Sequence, residues 1–151
     1  MLELEIARTF TRQATPADIA ALREHIAEEQ AAVARDDVEG RSELLGNFHV
    51  RIAELLDNEV LAEVLGDLLA RCAVATLMYQ TSTAAHDSSS EHAELVECFA
   101  SGDAARAATL MREHLDHVEA GLNLEQALPS FDIRKALTDA QSGRHNHLET
   151  T

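Results

Sequence analysis

Aromatic residues are scarce in this chain: four Phe, one Tyr and no Trp among 151 residues. Chain breakers are scarce too, with two Pro and six Gly. With Ala, Leu and Glu abundant, that poverty argues for an all-α fold. Two cysteines, Cys72 and Cys98, are too few for a disulfide framework, and the chain is expected to be cytoplasmic with its thiols reduced. Basic residues are outnumbered 12 to 27 by acidic ones, a formal net charge of −15. A surface that acidic repels phosphate backbones and anionic lipid, which excludes nucleic acid and membrane as direct partners. No apolar run approaches the roughly 18 residues that span a bilayer, and the amino terminus lacks a signal-sequence pattern. What is present is a 46% hydrophobic content, enough for one core in one domain.

The punctuation predicts helices. A first helix covers Leu2 to about Gln13. Thr15, Pro16 and Asp18 then open a second, with Thr15 as N-cap and Pro16 at the first helical position. It carries Ile19, Leu22, Ile26 and Ala31 on one stripe and ends near Arg35. Asp36-Asp37 and Gly40 mark a turn or weak spot before a third helix with Leu45, Phe48, Ile52 and Leu56. Asn58 caps a fourth, from about Glu59 to Tyr79, whose apolar stripe is read as Leu61, Val64, Leu65, Leu68, Cys72 and Ala75. Small polar residues from Thr81 to Ser90 predict a loop, with Ser88 and Glu91 at capping-box spacing. A fifth helix follows to Ser101, stopped by Gly102, and Asp103 caps a sixth through Leu110, His114, Val118 and Leu122. After Pro129, residues 131–140 suit a last short helix, and residues 141–151 read as a disordered tail. The expected architecture is an antiparallel helical bundle of six or seven helices.

Three histidines sit on apolar stripes. His49 shares a face with Leu45, Ile52, Ala53 and Leu56; His92 with Leu95, Val96 and Phe99; His114 with Ala107, Leu110, Met111 and Val118. His92 lies ten residues before Gly102 and His114 twelve after it. In an antiparallel hairpin those arms are nearly equal, roughly 15 and 18 Å at a 1.5 Å rise, so the two rings should face each other. Converging neutral imidazoles suit Zn²⁺, Ni²⁺ or a similar ion, which would offset the cost of burying them. A core histidine bonded to a carbonyl is the plainer alternative at each position. Arg71 falls on the expected buried stripe of the fourth helix, where it either pairs with Asp67 or offers a guanidinium fork to a ligand carboxylate. Tyr79 continues the Arg71-Ala75 spacing toward the same cavity. Arg51 and Arg112, two residues from a stripe histidine, should face solvent.

Several stretches resemble the FCD effector domain of FadR-like GntR transcription regulators. They are Phe48-His49 with Ala53 to Asn58 and Val60-Leu61; Glu91-His92-Ala93-Glu94-Leu95; Ala100 to Ala104; and Met111-Arg112-Glu113-His114-Leu115. The opening Leu2-Glu3, Glu5-Ile6-Ala7 and Ala14-Thr15-Pro16 is similar to the start of that domain, which residues 1–140 would then constitute. The resemblance implies a helical bundle around a cavity, where an Asp and three His hold a divalent metal beside a small organic acid. The three His correspond to His49, His92 and His114. The Asp corresponds to Leu45, which cannot ligate, so three protein ligands remain, with His117 as a candidate fourth. The family's winged-helix DNA-reading domain has no counterpart in this chain.

The leading expectation is therefore an effector-sensing domain, not an enzyme. It binds a small carboxylate at or near a histidine-held Zn²⁺ or Ni²⁺ and signals to an attached DNA-binding domain, within a homodimer, as related regulators do. Two alternatives stand beside it. A helical metalloenzyme could use an open three-histidine site, but Glu91 and Glu113, each adjoining a histidine, are expected to point elsewhere and supply no base. A ligand-free dimerisation bundle is the other. Neither cysteine looks activated, since Cys72 lies on the expected buried stripe and Cys98 adjoins Glu97.

Overall fold

The computed structural model describes residues 2–122, which form six α-helices. They are α1 (Leu2–Gln13), α2 (Pro16–Ala34), α3 (Val38–Leu55), α4 (Glu59–Tyr79), α5 (Ser82–Ser101) and α6 (Ala104–Gly121). The helix expected over 131–140 and the tail at 141–151 lie outside the described residues. α2 packs between α3 and α5, α6 packs against α1 and α5, and α3 carries α4 on its outer side. No strand of a sheet forms among the described residues; a single bridge joins Gln80 at the end of α4 to Leu122 at the end of α6.

Local chemistry sets the boundaries. Thr15 and Asp18 form a capping box, the Asp18 amide donating to Thr15 Oγ1 at 3.2 Å and the Thr15 amide to Asp18 Oδ2 at 2.8 Å. Three interhelical turns then share one design. Asp36, Asp57 and Gly102 each adopt positive φ, at 53°, 57° and 76°. The amide after each reaches back to the helix it ends: Asp37 to Ala32, Asn58 to Ala53, Asp103 to Cys98. That same following residue caps the next helix, its side chain accepting from Gly40, Leu61 and Arg106 amides respectively. The weak spot expected near Gly40 is thus the first turn of α3, and a Cβ at Gly40 would collide with the capping Asp37 carboxylate.

The core runs through α1, α2, α3, α5 and α6, with Phe10, Leu22, Phe48, Ile52, Leu95 and Met111 almost wholly buried. The Phe10 and Phe99 rings meet edge-on at 5.0 Å. Three expectations need correction. The segment from Thr81 to Ser90 is not a loop: Thr81 Oγ1 accepts from the Ala84 amide and starts α5 at Ser82. Ala85, Ser88 and Ser89 then extend the buried stripe of His92, Val96 and Phe99. The stripe of α2 passes through Glu29 and Ala32, leaving Ala31 exposed. On α4 the inward face is rotated by about one residue from the one expected, roughly 100°. Leu65 is buried, with Gly66, Leu69, Ala73 and Thr76 partly covered, whereas Val64, Leu68, Arg71 and Cys72 are exposed. A helix apolar nearly all round gives no unique stripe, and only α3 makes an extensive contact with it.

Candidate metal centre

α3, α5 and α6 bring His49, His92 and His114 together, all buried, with one nitrogen of each inside a 4.8 Å sphere of mutual distances. His92 Nε2 and His114 Nε2 are 3.1 Å apart, as the near-equal arms of the hairpin predict. The Phe48 ring stacks on His92 at 4.0 Å and fixes its plane.

Two carboxylates set the direction of these rings: Glu29, which no sequence motif singled out, and Glu91, which was expected to point elsewhere. Glu29, fully buried on α2, lies 3.0 and 3.1 Å from His92 Nδ1 through its two oxygens. Glu91 Oε2 lies 2.7 Å from His114 Nδ1. A carboxylate accepts, so each Nδ1 carries the proton and each Nε2 presents a lone pair. Two lone pairs at 3.1 Å repel unless a proton or a cation stands between them. Two nitrogens held by a tetrahedral zinc at 2.0–2.1 Å are about 3.3 Å apart, close to the observed separation. His49 Nδ1 is buried with no hydrogen-bond partner, a third donor whose burial is uncompensated. The residues therefore fit a metal ion.

The electrostatics agree. Burial, helped by the neighbouring His92, brings the His114 pKa down to about 4 against the pull of Glu91. Burial and the other two rings hold His49 well below the usual imidazole range. Both are thus neutral and able to ligate. Burial alone would raise the Glu29 carboxyl, but His92 and His25 together outweigh it and hold it low. His25 Nε2 is 2.9 Å from the Leu44 carbonyl and 3.3 Å from Glu29 Oε1. Those acceptors raise its pKa in spite of burial.

Leu45, in place of a carboxylate, is buried and lines a cavity of about 310 Å³ beside the three rings. His117 does not join the cluster. It is exposed and bonds through Nδ1 to Glu91 Oε1, which raises its pKa. Arg71, expected on a buried stripe, is exposed by the rotation of α4, and neither it nor Tyr79 lines the cavity. Glu91 does not point away from the site, as its place beside His92 suggested; it crosses from α5 to α6. Arg51 and Arg112 face solvent, as expected. Glu29 carried a legible signal: it follows Ile26 by three residues on the apolar stripe of α2. A charged residue there needs a partner, and His25 stands four residues before it.

The model of one protein family, the FCD domain, matches residues 1–117. Neither the curated proteins nor the solved structures gave a match to the chain.

Proposed function

This chain belongs to the FCD domain family, the effector-sensing domains of GntR-family transcription regulators, and from that premise we propose that it senses a small organic acid at a metal held by His49, His92 and His114. The observation that carries this reading is the pair of Nε2 atoms at 3.1 Å, each with its Nδ1 anchored on a carboxylate. Carboxylate–histidine pairs of this kind orient and strengthen imidazole ligands. Zn²⁺ and Ni²⁺ suit an all-imidazole donor set better than Mg²⁺ or Ca²⁺ do. When bound, the ion supplies a Lewis-acidic position that a carboxylate can occupy, because Leu45 leaves the site with three protein ligands. Glu29 and Glu91 hold the protons of His92 and His114 away from the cavity, and Phe48 keeps the His92 ring in register.

In this reading the chain is of the FadR-like type and reports the effector to an attached DNA-binding domain, through which alone it meets DNA. The ligand acts by favouring one arrangement of α3, α5 and α6 over another. The chain works as a homodimer, with Val60, Val64 and Leu68 of α4 offering an exposed apolar strip at i, i+4, i+8 spacing. The test is a thermal-shift series with EDTA, Zn²⁺ and Ni²⁺, alone and with organic acids, beside elemental analysis of the purified protein. Stabilisation by metal, increased by an acid, is the expected outcome. A protein that carries no metal and melts identically in all conditions would refute the reading.

A further inference from the structure

A second space adjoins the cavity beside the three histidines. Ser42, Gly46, Leu69 and Ala73 line both that cavity and a groove of about 280 Å³ between α3 and α4, so the two share a wall made mostly of small residues. Their characters differ. The cavity presents imidazole nitrogens; the groove is walled by Val50, Leu69, Ala70, Ala73 and Leu77. Gly46 and Gly66 stand in the interiors of α3 and α4, where glycine costs a helix about 1 kcal/mol relative to alanine. A Cβ at either would meet nothing within 4 Å, so the room they leave is not consumed by packing of the two helices. No Arg or Lys lines the cavity or the groove among the described residues, so the histidine-held ion is what offsets Glu3 and Glu119 at the cavity, and nothing offsets Glu39 and Glu43 at the groove. A second carboxylate or a phosphate carried to that end would meet like charge and no cation.

We propose that the two adjoining spaces open into one another beside Gly46, where an added Cβ would meet nothing within 4 Å, and together take an aliphatic monocarboxylate, its head at the histidine centre and its uncharged tail between α3 and α4. The head rests on the metal-and-acid reading above; the tail rests on the groove. Dicarboxylates and phosphorylated ligands are disfavoured by the same walls.

The experiment titrates acetate, hexanoate, octanoate and octanedioate into the full chain by calorimetry, with and without Zn²⁺. Zinc binding is measured separately by competition with a chelating dye. Burying each added methylene is worth about fourfold in affinity, so octanoate should bind far more tightly than acetate, and octanedioate more weakly than octanoate. Gly66→Leu and Ala70→Leu fill the groove without touching the inner cavity. Each should abolish most of the chain-length dependence while zinc binding persists, with circular dichroism confirming the helices. Equal affinity for acetate and octanoate in both metal states would overturn the proposal. So would tighter binding of octanedioate, or a chain-length dependence unchanged in both variants. Loss of zinc binding with a surviving chain-length series defeats the metal reading alone; zinc binding with a flat series defeats this one alone.

Discussion

Glu29 and Glu91 decide which nitrogen of His92 and His114 faces the cavity, and their substitution should act on the metal more than on the fold. Glu29→Gln keeps the shape of the buried side chain but weakens its hold on the His92 Nδ1 proton. Zinc affinity should fall about 10–100-fold, read by dye competition, with the helical spectrum unchanged. The same histidines dictate a pH dependence in the metal-free protein. His49 and His114 have lowered pKa values in the fold, His114 at about 4. The unfolded chain therefore takes up protons first, and stability falls as pH drops from about 6.5 through the folded values. For His114 alone the loss approaches roughly 3 kcal/mol once pH is below both values. Glu29, held low, adds a loss at still lower pH. His25 works in the opposite sense: its raised pKa gives stability that is complete below its unfolded value and is lost as pH rises through the folded one. Melting curves in EDTA should therefore fall steeply between pH 6.5 and 4, and His114→Gln should flatten that fall. A wild-type curve as flat as the variant's would refute the assignment.

At the scale of elements, the three turns built on Asp36-Asp37, Asp57-Asn58 and Gly102-Asp103 invite a paired test. Gly102→Ala places a Cβ on a left-handed residue and should cost about 1 kcal/mol. Asp57→Gly relieves the same strain at an exposed position and should stabilise by a smaller amount; denaturant midpoints measure both. These turns also explain how much of the fold could be read from the sequence. Capping residues and breakers are local signals, so the starts and stops of α1, α2, α4 and α6 were legible, and so was the facing of His92 and His114 across Gly102. Burial is a tertiary property and was less legible. Thr81 to Ser90 looks like a loop because its side chains are small and polar, yet those same side chains let α5 pack closely through Ser88 and Ser89. α4 carries apolar residues on several faces, and its packing on α3 chooses among them, which is why Arg71 emerged on the outside and Cys72 at the accessible edge of the histidine cavity. Glu91 was misplaced because adjacency to His92 fixes its helical direction but not the reach of its side chain to the next helix.

For the whole molecule, the strip of Val60, Val64 and Leu68 should govern self-association. If the proposed dimer forms through this strip, Val64→Glu with Leu68→Glu should leave a monomer by light scattering, with the zinc-dependent melting shift retained because neither residue lines the cavity. Among the described residues no helix is long and apolar enough to cross a membrane, so that strip is not a spanning segment. The histidine cluster has a further consequence at this scale, one of chain topology. His92 and His114 are 22 residues apart in sequence, and His49 reaches them from a separate helix. An ion gripped by all three would act as a removable cross-link of the native state alone, because the unfolded chain offers no preformed site, so its binding energy adds to folding. The three helices it joins should then open as a single cooperative unit. Amide hydrogen exchange should then slow together across α3, α5 and α6 on adding Zn²⁺, while α4, held mainly by α3, keeps its own faster rate.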